Sequence, residues 1–154
     1  MPLGVPKLVR AAMLGLVALG VAVPPLYGQQ ALFDWEGTVR RLAAIEERDP
    51  YRLRDVIDNG RPTLIAFLDH LCYTCLRSVK PVEELSRRFS GRANVVVIDP
   101  SRITAPHTWA KDHYRVWFVP KFVFVSKGGE VAREYFGPTP TWTLASDLQT
   151  LLAQ

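Results

Sequence analysis

The sequence predicts an α/β sandwich built on a mixed sheet and preceded by a signal or anchor segment. Two runs, TLIAFL at residues 63 to 68 and VVVI at 95 to 98, are almost wholly apolar and stop at Asp69 and at Asp99-Pro100, as strands buried on both faces do. Around them lie stretches whose apolar residues recur every three or four positions, the spacing of one helix face. Near the end, KFVFVSKGGEVAREYFG holds two strand-like runs about Gly128-Gly129, a pair whose tolerance of positive φ suits a tight hairpin. From Pro62 the order is therefore β, α, β, α, β, β, α. Strands alternating with helices give a parallel portion, and the hairpin adds an antiparallel edge.

The elements follow in chain order. Lys7 and Arg10 precede sixteen uncharged, mainly apolar residues from Ala11 to Leu26, the layout of a secretory signal. As a helix this run is about 24 Å long, against a hydrocarbon core of about 30 Å, and Pro24-Pro25 closes it early. Residues 1–28 are expected to be a signal peptide, or an N-terminal membrane anchor seated through residues 8–26. Gly28 is a small residue at a cleavage point, yet Leu26 is larger than signal peptidases usually take, so removal and retention both stay open. A buried helix of the domain is a third reading, but it does not explain the basic-then-apolar order. The remainder is expected to fold outside the cytoplasm, periplasmic or secreted, where disulfides are permitted; a retained segment would hold it in the inner membrane.

Leu32, Trp35, Val39, Leu42 and Ile45 then mark an amphipathic helix ended by Asp49-Pro50, and YRLRDVID a shorter one stopped at Asn59-Gly60. Residues 29–60 are read as an N-terminal helical extension and 61–154 as the main domain. Val79, Val82, Leu85 and Phe89 give a helix over 74–89 with Pro81 as an internal kink. Residues 103–114 are mixed and helical in their later part. Leu144, Leu148 and Leu151 line a last helix from Thr141.

Composition narrows the function classes. With 154 residues, 48% hydrophobic and 22% charged, the chain excludes disorder and collagen-like repetition, and two cysteines exclude a multi-disulfide scaffold. The formal charge is +4, but without Lys7 and Arg10 the 19 basic residues fall to 17 against 15 acids, and these are interleaved. No nucleic-acid partner is expected.

The two cysteines, Cys72 and Cys75, sit in His70-Leu71-Cys72-Tyr73-Thr74-Cys75, where a buried strand turns into a helix. The first turn of a helix offers unpaired N–H groups and partial positive charge, both of which stabilise a thiolate. Cys72 is thus expected to be the exposed nucleophile of low pKa, and Cys75, one turn on, the thiol that resolves its mixed disulfide. Alternatives stay open. A purely structural disulfide across so short a loop gains only about 2 kcal/mol. A zinc or copper site would draw on His70, His107 and His113, but the spacer to His107-x5-His113 exceeds that of a compact finger, and no metal is expected. Haem attachment needs His after the second cysteine, where Leu76 stands.

From about Arg61 to Leu152 the chain resembles the thioredoxin family: a hydrophobic strand entering C-x-x-C, a helix with a proline soon after, and Val119-Pro120 just before a strand. The resemblance implies a thioredoxin-like three-layer α/β/α sandwich that needs no cofactor. It also implies a cis peptide at Pro120, which lies beside the disulfide and, with Val119, helps to bind substrate backbone. Protein dithiol or disulfide substrates and a redox partner protein follow from the same likeness. With the export signal, NGRPTLIAFLDHLCYTC is similar to membrane-anchored or secreted members, some of which reduce cysteines during cytochrome c maturation or serve cell redox homeostasis.

The chain departs from the family at Leu71, where Trp is common, and at Ala66, where a buried Asp usually accepts the second thiol's proton. Pro81 falls six residues after Cys75 rather than five, and Tyr73-Thr74 stands for the more usual dipeptides. His70, if cationic, would stabilise the Cys72 thiolate; otherwise it is a solvated loop residue. Trp117 and Phe118 form either an apolar lip for substrate or core packing. The expected function is an extracytoplasmic thiol–disulfide oxidoreductase; the alternative is a metal-handling or protein-binding module of the same fold without turnover.

Overall fold

Asp34 starts the first helix. Its carboxylate accepts a hydrogen bond from the Gly37 N–H at 2.9 Å and its carbonyl one from the Thr38 N–H at 3.0 Å, an N-cap that satisfies two donors of the opening turn. In this computed structural model residues 33–47, 50–101 and 105–154 are described; the expected signal or anchor segment, residues 1–28, lies outside them. The elements are α1 (Trp35–Ile45), α2 (Pro50–Ile57), β1 (Thr63–Phe67), α3 (Tyr73–Arg88), β2 (Asn94–Ile98), α4 (Ala105–His113), β3 (Lys121–Val125), β4 (Val131–Phe136) and α5 (Thr141–Ala153). Asp34–Gln154 forms one compact unit, so α1 and α2, read from sequence as an extension, belong to the same body as the rest.

The sheet runs β2-β1-β3-β4. β1 pairs in parallel with β2 (Ile65 opposite Val96) and antiparallel with β3 (Ile65 opposite Val123), and β3 pairs antiparallel with β4. Successive side chains of a strand point to opposite faces, and both faces of β1 and β3 are buried. On one face Leu64, Ala66, Phe122 and Phe124 pack against Leu42 of α1, Val79 and Leu85 of α3, and Leu148 of α5. On the other, Ile65, Phe67, Val123 and Val125 pack against Leu53 of α2 and Ala110 of α4. The fold is therefore a three-layer α/β/α sandwich.

One local expectation changes. The hairpin is wider than a tight turn: Ser126–Glu130 connects the strands, closed by the Ser126 N–H to the Glu130 carbonyl at 2.8 Å, and only Gly129 of the glycine pair has positive φ, at 83°. α3 keeps Pro81 inside one helix, and a proline there can donate nothing to the Arg77 carbonyl one turn back.

α4 ends in a left-handed residue. Arg115 has φ 49°, its N–H reaches the Asp112 carbonyl at 3.1 Å, and the next N–H, of Val116, reaches back to Lys111 at 2.8 Å. This is the Schellman arrangement, in which glycine usually holds the left-handed place because a Cβ there crowds the following carbonyl. Arg115→Gly is expected to raise the denaturation midpoint, by up to about 1 kcal/mol in free energy, since relief of that crowding exceeds glycine's added unfolded-state entropy. A fall in the midpoint on urea titration would contradict it.

Candidate active site

β1 ends at Phe67, and Asp69 begins the reversal into α3. Its side chain accepts from the Leu71 N–H at 2.7 Å and its carbonyl from the Cys72 N–H at 3.2 Å. Cys72 consequently becomes the N-cap of α3, with its sulfur accepting from the Cys75 N–H at 3.3 Å. The thiol takes the place usually held by Ser, Thr or Asp, and the orphan amides of the first turn are aimed at sulfur. Thr74 Oγ1 lies 3.2 Å from the same sulfur and the Val119 carbonyl oxygen 4.0 Å. Both thiols are free, Cys72 half-buried and Cys75 fully buried.

The two sulfurs are electrostatically unequal. Partial burial pushes the Cys72 thiol up, but hydrogen bonds from Cys75 and Thr74 outweigh it and hold Cys72 below its ordinary value. Burial pushes the Cys75 thiol strongly up, and its contact with Cys72 adds to the effect. Ala66, fully buried in the same apolar cluster as Cys75, supplies no carboxylate to accept its proton.

His70 lies in the loop with its side chain partly exposed, and its polar partner is Asp99 and not the Cys72 sulfur. Its Nδ1 lies 2.6 Å from Asp99 Oδ2 and 3.3 Å from Ser101 Oγ, and its N–H reaches the same Asp99 oxygen at 3.4 Å. Asp99 is 1% exposed. Burial pushes its carboxyl up, but hydrogen bonds from Ser101 and His70 prevail and hold it below the usual range. Asp69, His70 and Asp99 bring ligand-type atoms within 4.8 Å of one another, and neither cysteine belongs to that group. His107 lies outside the residues whose side chains are described.

Around Cys72 the surface is apolar. Leu71, Trp117 and Phe118 are 72%, 76% and 75% exposed, so the last two stand on the surface and not in core packing. Tyr73 stacks on Trp35 of α1, ring centroids 6.5 Å apart. The Val119–Pro120 peptide bond is cis. Between this loop and the end of β2, Asp69, Ser101, Lys111, Trp117 and Phe118 help line a cleft of about 230 Å³. Sequence reasoning missed Asp99 and Trp35. The position of Asp99 at the carboxyl end of a parallel strand, beside the end of β1, is the signal that could have found it.

No family model matches the chain. It is 27% identical over 150 residues to a thiol:disulfide interchange protein TxlA homolog of Synechocystis sp., covering 96% of this chain and 78% of the relative. It is 30% identical over 98 residues to a thioredoxin of the same organism, covering 64% of this chain and 87% of that protein. Among solved structures, a mutant thioredoxin from Halobacterium salinarum superposes with a TM-score of 0.58 at 22% identity, covering 70% of this chain and 88% of the other. Chloroplastic thioredoxin z gives 0.60 at 19% identity, with 71% and 96% covered.

The asymmetry of the thiols has a measurable sign. In the reduced protein, alkylation of Cys72 is expected to rise with pH through a midpoint below a free thiol's ~8.5, and Cys75 to stay unmodified across the same range. Peptide mapping of the alkylated protein reads both. A Cys72 midpoint at or above the free value would remove the N-cap argument.

Proposed function

The chain belongs to the thioredoxin-like superfamily and is a thiol–disulfide oxidoreductase, and we propose that it exchanges disulfides with protein substrates outside the cytoplasm, held there by its N-terminal segment or released after cleavage. The carrying observation is the unequal pair at the start of α3: an accessible sulfur that accepts from the Cys75 N–H, with a buried thiol one turn behind it.

The Cys72 thiolate attacks one sulfur of a substrate disulfide. The Cys72–substrate bond forms as the substrate S–S bond breaks, and the departing sulfur leaves as a thiolate that takes a proton from water. Cys75 then gives up its proton and attacks the Cys72 sulfur. The Cys72–Cys75 disulfide forms, the second substrate sulfur departs, and two electrons have passed to the substrate. A partner protein's dithiol returns the pair to its reduced state by the same exchange in reverse. Burial of Cys75 keeps it protonated and silent until the mixed disulfide exists. The apolar lip of Trp117 and Phe118 suits a polypeptide substrate, with Val119 and Pro120 beside the reacting sulfur. Reduction of cysteines destined for cytochrome c, or general redox homeostasis, are the roles this chemistry would fill.

Among the described residues no helix is long and apolar enough to cross a membrane, so anchoring rests on residues 8–26. Cys72→Ser is expected to abolish reduction of insulin disulfides, and Cys75→Ser to accumulate a mixed disulfide visible on non-reducing gels; exchange surviving Cys72→Ser would sink the catalytic reading. In a bacterial host the full chain is expected in the membrane or periplasmic fraction, and recovery in the cytosol alone would overturn the compartment.

A further inference from the structure

Every residue of β3 is buried, and four of the five are apolar; the exception is Lys121, which directly follows Pro120 and is 1% exposed. A charge so placed is costly unless it is paired. Its ammonium donates to the Tyr114 carbonyl, lies 2.8 Å from Glu134 Oε1 on β4 and sits 4.8 Å from the centre of the Phe136 ring.

The Tyr114 carbonyl is a particular acceptor. The Schellman closure of α4 uses the Lys111 and Asp112 carbonyls, and Tyr114 stands at the helix C-cap with its carbonyl among those the helix leaves open. Lys121 fills that need and places a cation at the negative end of the helix. Residues 115–120 are thereby closed into a loop, pinned at one end by the helix terminus and at the other by β3. Within it the Trp117 N–H reaches the Arg115 carbonyl at 3.1 Å, and the Pro120 carbonyl accepts from Gly137 at 2.8 Å. The loop carries both exposed aromatic residues and the Val119 carbonyl, 4.0 Å from the Cys72 sulfur.

We propose that Lys121 is a positioning residue for substrate docking: its ammonium clamps the end of α4 to the start of β3 and so sets where the 115–120 loop stands against Cys72. The proposal rests on exchange with protein disulfides as the function. A polypeptide must lie along that loop to react, whereas a small aliphatic disulfide needs only the sulfur. Loss of the clamp should therefore separate the two substrates, a small displacement of the docking groups being enough to slow an oriented reaction severely.

The test uses the wild-type chain, Lys121→Met and Lys121→Arg, with dithiothreitol as reductant and two substrates, insulin and hydroxyethyl disulfide. Lys121→Met is expected to lower kcat/KM for insulin about tenfold while the small disulfide changes less than about twofold, and Lys121→Arg to restore part of the loss. Equal effects on both substrates, or none on either, overturn the proposal. Should Lys121→Met fail to fold, Glu134→Gln, which loosens the same ammonium, carries the comparison: a smaller split in the same direction supports the clamp, and parity overturns it. A wild-type protein that exchanges with neither substrate would instead refute the underlying function.

Discussion

The fold depends on β1 and β3 being buried on both faces. Strands with no polar side have to be covered twice, and this divides the helices into two layers, α1, α3 and α5 against α2 and α4. Once β1 lies in the middle of the sheet, the chain leaving it must turn back over the carboxyl edge to start α3. That turn delivers Cys72 to a helix N-terminus, and the neighbouring end of β2 brings Asp99 beside it. The chemistry thus sits where the topology concentrates unpaired backbone donors, and little further machinery is needed to acidify one thiol.

The second thiol is governed by the opposite circumstance. Cys75 lies in the apolar cluster with Ala66, Leu76 and Val79, where charge has no compensation. A single turn of helix therefore holds two chemically identical groups in different states, one assisted by amides and the other suppressed by hydrocarbon. Order in the exchange reaction follows from this difference.

How much of this could be read from the chain depended on the range of each signal. The strands of 63–68 and 95–98 were legible because burial on both faces erases alternation and leaves an unbroken apolar run. Cys72 and Cys75 stood out because a buried strand turning into a helix places them at a helix N-terminus, and Pro120 stood out only through its likeness to the thioredoxin pattern. Asp99 passed as a strand stop, because its role appears only when His70, 29 residues earlier, folds onto it. Lys121 read as the polar first residue of a strand run, and nothing local reveals that its partners are Tyr114 and Glu134. Trp35 fitted a helix face so well that its stacking on Tyr73 left no trace in the pattern. Local periodicity reports burial; the partner of a buried charge or a stacked ring is long-range information.

The sheet's two margins are finished differently. At β2 the chain around Glu46 bridges to Val97, and the Glu47 N–H takes the Val97 carbonyl at 2.7 Å, so part of that edge is spent within the molecule. At β4 the strand is largely exposed, but Arg133 and Glu134 occupy its middle and are engaged with Asp147 and Lys121. Charge on an open strand discourages a second copy from adding to the sheet. The same surface bares Leu71, Trp117 and Phe118 near the sulfur and Val131, Phe136 and Trp142 elsewhere, so the colloidal behaviour of the protein is left to the ionic groups between these apolar patches.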